Sequence, residues 1–172
     1  THGEIDYIVA SDTDSIYVTL DKLVEKICKD KSKEQIVKIL DKICTEKFEP
    51  YIDKCYAELA DYSNAFQQKM EMAREVIADK GIWVAKKRYM LNVHNSEGVQ
   101  YAKPKLKIMG IEAVKSSTPE ICRTRIKEAI TIIMEKDETD LQKFIADFRQ
   151  EFAGLEPEQV AFPRSCNNLR KY

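Results

Sequence analysis

The chain is poor in the residues that most often build a metal centre. Histidine occurs twice in 172 residues, as His2 and His94, which argues against a histidine-rich zinc site. The five cysteines (Cys28, Cys44, Cys55, Cys122 and Cys166) contain no CxxC pair, and their number is odd. With no signal-peptide pattern, they read as reduced thiols in a cytosolic-type compartment, several of them on helix core faces. No apolar run approaches membrane-spanning length, and there are no internal repeats and no low-complexity tract. Net charge is only −1, so the chain as a whole makes no electrostatic case for a polyanionic partner. What is present suffices to fold. Hydrophobic residues make up 44% and charged residues 33% of a length that suits one medium domain, or one domain and part of a second. The chain begins at Thr1, a few residues before an expected strand, and reads as a piece of a longer protein.

Glycine is scarce too, with five in the chain, and it is missing where a turn most needs it. Tyr7-Ile8-Val9-Ala10 and Ile16-Tyr17-Val18-Thr19-Leu20 are β-forming runs on either side of Asp12-Thr13-Asp14-Ser15. Residues 4–20 therefore read as a hairpin. A two-residue hairpin turn needs positive φ at its centre and prefers glycine there. Two carboxylates crowded at a glycine-free turn also repel each other unless something positive lies between them. A local rule broken inside an otherwise consistent element marks a functional site, and Asp12 and Asp14 are candidates for a divalent-metal site. A solvated polar turn accounts for the same four residues, because Asp and Thr are common turn formers.

The chain then continues with a short helix after Asp21 and a longer one from about Lys33. An apolar stripe through Ile36, Leu40, Ile43, Cys44, Phe48, Tyr51, Cys55, Leu59 and Tyr62 predicts one core-facing surface, with a kink or break at Pro50. From Lys69 to Val93 the period changes to two. A second hairpin is expected there, turning at Asp79-Lys80-Gly81, with Ile82–Val93 as one long strand. On that strand Lys86 and Arg88 share a face and Lys87 points the other way. His94-Asn95-Ser96-Glu97-Gly98 reads as a further turn, and Val99-Gln100-Tyr101-Ala102 as a third strand stopped by Lys103-Pro104-Lys105. Ser116-Ser117-Thr118-Pro119-Glu120 predicts a helix start with Thr118 as N-cap and Pro119 as first helical residue. Asp137-Glu138-Thr139 separates that helix from a last one, which carries Leu141, Phe144, Ile145, Phe148 and Phe152 and ends at Gly154. The composition shifts from strand-rich to helix-rich near residue 115.

Charge is unevenly placed. Residues 80–107 hold seven basic side chains (Lys80, Lys86, Lys87, Arg88, Lys103, Lys105 and Lys107) and one acid, Glu97, a local charge of +6. Trp83, Tyr89 and Tyr101 lie among them. A basic stripe beside an acidic hairpin suits a polyanion held by the one and worked on by metals at the other. Solvated edge charges that protect a sheet from aggregation are the plain alternative.

Together these stretches carry a resemblance. Asp12-Thr13-Asp14-Ser15 between β runs, Lys86-Lys87-Arg88-Tyr89, the run from Lys103 to Glu112 (KPKLKIMGIE) and Lys115-Ser116-Ser117-Thr118-Pro119 resemble family B DNA polymerases, above all the replicative polymerases of T-even-type bacteriophages. The resemblance covers essentially the whole chain but a minority of such an enzyme. It implies an α+β fold, with an antiparallel palm-type sheet and packed helices followed by a helical thumb segment. Residues 1–117 correspond to the C-terminal part of the palm and residues 118–172 to the start of the thumb. It implies template-directed nucleotidyl transfer to a primer 3′-hydroxyl, with two Mg²⁺ ions (Mn²⁺ as the substitute ion).

Position by position, Asp14 resembles the carboxylate that binds both metals, Asp12 the less critical first acid of the motif, and Glu75 an acidic position near the metals. Lys86, Lys87, Arg88 and Tyr89 match the motif that holds the primer end and touches the minor groove. Lys103, Lys105, Lys107, Ser116 and Ser117 complete the implied DNA contacts. Primer–template DNA, deoxynucleoside triphosphates and a sliding clamp are the implied partners, in the bacterial host cytoplasm and away from any membrane. The chain departs from the family pattern in having Ala10-Ser11 where Tyr-Gly is usual. The DxxSLYPS-type and KxxxNSxYG-type motifs and the exonuclease motifs are not in this sequence, so the 172 residues alone are expected to be inactive in primer extension. A glycosyltransferase DxD motif accounts for Asp12 and Asp14 but not for the basic stripe. A non-catalytic DNA-binding module accounts for the stripe but leaves the acids idle. If the polymerase reading is right, replacing Lys86 and Arg88 by Ala flattens the salt dependence of DNA binding.

Overall fold

The computed structural model describes residues 6–162 together with residues 164, 165 and 170. The first two residues of the expected 4–20 hairpin, His2, Cys166 and Asn167-Asn168-Leu169 lie outside the described residues. Among the described residues the fold is α+β, with helices and antiparallel sheets of two and three strands.

The first hairpin forms where the two β runs predict it. Strand β1 is Ile8–Asp12 and β2 is Ser15–Val18. They pair Ile8 with Val18, Ala10 with Tyr17, Ser11 with Ile16 and Asp12 with Ser15, with an irregularity between Ile8 and Ala10. The hairpin is thus shorter than the 4–20 span expected. Helix α1 (Asp21–Ile27) follows, and then α2 (Lys33–Ile43). A capping box starts α2: the Gln35 amide donates to the Ser32 hydroxyl at 3.3 Å, and the Ser32 amide donates to the Gln35 side-chain oxygen at 3.0 Å.

The break expected at Pro50 is a widened turn. Cys44–Phe48 is π-helical, and the Glu49 amide donates to the Cys44 carbonyl, five residues back. Pro50 then falls at the second residue of α3 (Glu49–Tyr62), directly after the widened turn, which is how the continuous helix accommodates a residue with no N–H. The core-facing stripe is borne out only in its first half. Leu40 and Cys44 are buried, but α3 has no buried residue and leaves Tyr51 68% and Tyr62 87% exposed.

The second sheet corrects the expected register. Its order is β3 (Val76–Ala85), β4 (Arg88–Ser96), β5 (Val99–Met109). Residues 69–75 are not strand, and β3 runs straight through Asp79-Lys80-Gly81. Gly81 is a packing glycine, since an added Cβ would lie 2.7 Å from both Leu91 and Trp83 side-chain atoms. The reversal comes at Lys86-Lys87, so those lysines occupy a turn, and Lys86 does not share a strand face with Arg88. β4 continues through His94-Asn95-Ser96. The next turn is Glu97-Gly98, with φ 49° and 83°, the positive pair that a type I′ turn requires. β5 passes through Pro104 because it is an edge strand, where a missing donor breaks no ladder.

The remaining elements are helical. A 3₁₀ turn (Glu112–Val114) leads to α4 (Glu120–Glu135), α5 (Glu138–Ala153) and the short α6 (Pro157–Val160). Thr118 is not the cap of α4: Pro119 holds that position, and no side chain caps the helix. The Thr118 amide instead donates to the Lys115 carbonyl at 3.1 Å. Asp137 does cap α5, accepting from the Asp140 amide at 3.0 Å.

Two compact units emerge. The first is Thr1–Asp79 with Val93–Lys105, and the second is Lys80–Asn92 with Leu106–Tyr172, so each unit takes part of every strand of the second sheet. In the first, Val37 and Leu40 of α2 pack on Ile77, flanked by Leu20, Val24 and Ile36. In the second, Met90, Ile111, Ala113, Ile130 and Met134 form the core, and Lys80 donates to the Met134 carbonyl near the end of α4. Burying a side chain such as Leu91 (3% exposed) contributes about 2 kcal/mol.

Candidate active site

The Asp12–Ser15 turn is strained in the way its sequence implies. Thr13 takes φ 48°, and the Asp14 amide donates to the Asp12 carbonyl at 2.6 Å, closing a γ-type turn around a β-branched residue. Local side chains support it. The Ser15 hydroxyl donates to the Asp12 carbonyl at 3.1 Å and the Thr13 hydroxyl to the Asp12 carboxylate at 3.2 Å. Asp12 is half-buried and tied down, whereas Asp14 is exposed at the tip. One acid is therefore held by its own turn and the other is presented outward.

Among the described residues, no group of three or more His, Cys, Asp or Glu side chains comes together to hold a metal ion, so Asp12, Asp14 and Glu75 do not form one. The donor chemistry of the pair still fits a particular class of ion. Mg²⁺ is bound through one or two carboxylates completed by substrate phosphates and water, not by an all-protein cage. Asp12 and Asp14 supply that number of hard oxygen ligands.

Glu75 is exposed and stands one residue before β3. It belongs to neither sheet, contrary to the expected placement on a strand. Its backbone is fixed, since its carbonyl accepts from the Glu97 amide at 2.7 Å and from the Arg74 guanidinium at 3.4 Å. The neighbouring Arg74 anchors this point, and nothing in the sequence pattern signals it. Its side chain, 12% exposed, pairs with Asp41 of α2 and donates to the buried Asn95 of β4 at 2.8 Å. Its amide donates to Glu49 of α3 at 3.0 Å. Burial raises the pKa of the nearby Cys44 thiol, which keeps it neutral and unreactive. Arg74→Met leaves the Asn95 oxygen and Asp41 without this partner and is expected to lower the unfolding free energy by about 2–3 kcal/mol, read from the urea midpoint.

In the second unit the Lys86-Lys87-Arg88-Tyr89 motif forms the β3–β4 turn and the start of β4. Lys86 and Lys87 are exposed and Lys87 takes φ 59°. Tyr89 is buried, its ring 6.2 Å from that of Trp83. Arg88 donates to both carboxylate oxygens of Glu112, at 2.9 and 2.8 Å, and Lys115 donates to the same carboxylate at 2.9 Å. The Lys115 hydrogen bond first, and then the backbone and the Arg88 charge, hold the Glu112 carboxyl below the usual glutamate range. A lowered pKa means that the pairing contributes fully above the ordinary glutamate range and is lost as the pH falls through the lowered value. The stability gap between Glu112→Gln and the unsubstituted chain is therefore expected to be constant from neutral pH down to the ordinary glutamate range and to close below it. Of the remaining candidates, Lys103 and Lys105 lie in the first unit, with Lys105 over the Tyr101 ring at 4.1 Å, and Lys107, Ser116 and Ser117 lie in the second. In the sequence Glu112 stands only as the last residue of the KPKLKIMGIE run, with no role of its own. Its signal was its place between two basic motifs.

No family model matches the chain. It is 40% identical over 177 residues to the DNA-directed DNA polymerase of Enterobacteria phage T4, and 42% identical over 182 residues to that of Escherichia phage RB69. The chain is a relative of phage DNA polymerases. The matches take in 97% and 100% of it but 20% of each polymerase, so the chain spans about one-fifth of the length of these curated relatives. A match that takes in 97% to 100% of the chain is accounted for neither by a DxD glycosyltransferase nor by an unrelated binding module. No helix among the described residues is long and apolar enough to cross a membrane.

Proposed function

We propose that this chain is part of a family B DNA polymerase that extends a primer by template-directed nucleotidyl transfer. Residues 1–117 contribute to the palm and residues 118–172 begin the thumb. The observation that carries the reading is the whole-length similarity to two phage polymerases. The tight carboxylate turn and the exposed lysine turn agree with it.

In this reading Asp14 is the principal metal ligand, with Asp12 its supporting acid, while Glu75 is not grouped with the pair among the described residues. Two Mg²⁺ ions bound there would lower the barrier to attack by the primer hydroxyl and neutralise charge on the leaving pyrophosphate. The rest is done by the chain's own side chains. The Asp12 contacts within the turn keep the backbone of Asp14 in one conformation, so the ligand is aimed before substrate arrives. The lysines hold the primer–template. Minor-groove acceptors occupy nearly the same place in every Watson–Crick pair, so a lysine there tests pair geometry without reading sequence. Lys103, Lys105, Lys107, Ser116 and Ser117 add backbone contacts. The partners are primer–template DNA, deoxynucleoside triphosphates and, in the whole enzyme, a sliding clamp, in the host cytoplasm.

The test is equilibrium binding of primer–template DNA to the chain across salt concentration, with a nucleotide sugar as the competing ligand class. A steep loss of DNA affinity with salt supports the proposal. Salt-independent DNA binding, or tight binding of the nucleotide sugar, overturns it.

A further inference from the structure

Within the basic motif the structure separates contact from support. Lys86 is exposed at the tip of the β3–β4 turn. Arg88, two residues on, is committed elsewhere: one of its guanidinium nitrogens serves both oxygens of Glu112. Glu112 in turn takes Lys115, so a single carboxylate joins the first strand residue after the lysine turn to the segment leading into α4. A second, independent feature acts at the same place. Gly110 has φ 66°, and a Cβ on it would lie 2.2 Å from the Lys87 carbonyl and 3.1 Å from the Arg88 Cγ. The backbone of the lysine turn and the stem of Arg88 are therefore seated directly on a residue with no side chain, and the guanidinium reaches past it to Glu112. A salt bridge fixed over a backbone cradle is a device for setting the direction of the turn that precedes it.

We propose that Arg88 is a positioning residue for the Lys86-Lys87 turn, held by Glu112, and that the phosphate contact of this motif falls to Lys86. The proposal rests on the DNA-binding reading above and deepens it. It also revises the expectation from the sequence that Lys86 and Arg88 share that contact.

A residue that neutralises a phosphate releases a counterion and steepens the dependence of log affinity on log salt, whereas a residue that only aims another has no slope contribution of its own and acts through the residue it aims. Primer–template binding is measured against salt for the unsubstituted chain, Lys86→Ala, Arg88→Ala and the double variant. Lys86→Ala is expected to make the slope shallower by about 0.9. Arg88→Ala is expected to weaken binding, and the double variant is expected to keep the slope of Lys86→Ala. A double variant whose slope is shallower than that of Lys86→Ala by a further ~0.9 overturns the proposal, as does an Arg88→Ala line that coincides with the unsubstituted one. A double-mutant cycle of Arg88→Ala and Glu112→Ala, read in the unfolding midpoint, covers the case in which a variant is too unstable to bind. Non-additive effects support the pairing, and additive ones overturn it. Absence of any salt dependence in the unsubstituted chain marks failure of the DNA-binding reading itself, a result distinct from all of these.

Discussion

Asp14→Ala is expected to abolish nucleotide incorporation by a polymerase that carries this stretch, while Asp12→Ala is expected to leave a reduced but measurable rate. The difference follows from how the turn divides its two acids. Asp14 stands exposed at the tip, and in the proposed reading its removal deletes a metal ligand. The expected loss is on the order of 10³-fold or more, comparable to deleting a principal electrostatic stabiliser of a transition state. Asp12 is half-buried, accepts the Thr13 hydroxyl at 3.2 Å and shares the turn's hydrogen bonds through its carbonyl. Its carbonyl contacts survive replacement of the side chain, so the turn still forms. The expected loss is about 10–100-fold, the range for residues that orient a ligand. Single-turnover incorporation on a primed template measures both. Equal losses in the two variants would remove the distinction drawn between them.

Gly110→Ala is expected to be the most damaging single-methyl change in the second unit. Two costs fall on the same atom. The φ of 66° is unfavourable to any residue with a Cβ, and that Cβ would lie 2.2 Å from a backbone oxygen that cannot rotate away. Strain and overpacking together are expected to lower the unfolding free energy by about 3–5 kcal/mol. Gly98→Ala separates the two contributions. Gly98 has φ 83° but nothing within 4 Å of the added methyl, so its cost is the backbone penalty alone, about 1 kcal/mol. Urea unfolding of the two variants gives the comparison, and similar midpoints for both would show that the close approach at Lys87 is not real.

These two sites also mark where the sequence was legible and where it was not. The carboxylate turn announced itself by breaking a local rule: two acids and no glycine between strong β runs. The structure supplies the reason, a γ-type turn that puts Thr13 at positive φ. The start of α2 was readable at about Lys33, but the capping box of Ser32 and the Asp137 cap, two residues before the expected end of the separator, emerge only from the structure. The lysine turn was misplaced because Asp79-Lys80-Gly81 has turn composition, yet Gly81 serves close packing under Leu91 and Trp83. Lys86-Lys87 has no turn signal at all and is fixed from outside, by Gly110 and Glu112. Pro104 looked like the end of a strand because sequence does not tell an edge from a centre. Arg74 and Asp41 are separated by 33 residues and meet only through the fold, so no periodicity could join them. The stripe on α3 was read as core from its spacing. Periodicity reports that a face is apolar, not that the described residues cover it.

The most direct measurement is primer extension by a phage T4 polymerase in which this chain replaces the one-fifth that it matches. If the chain supplies the metal-binding turn and the primer-holding turn of a polymerase, the chimera extends a primed template in the presence of Mg²⁺. A chimera that folds, binds primer–template DNA and still fails to add a nucleotide would contradict the account.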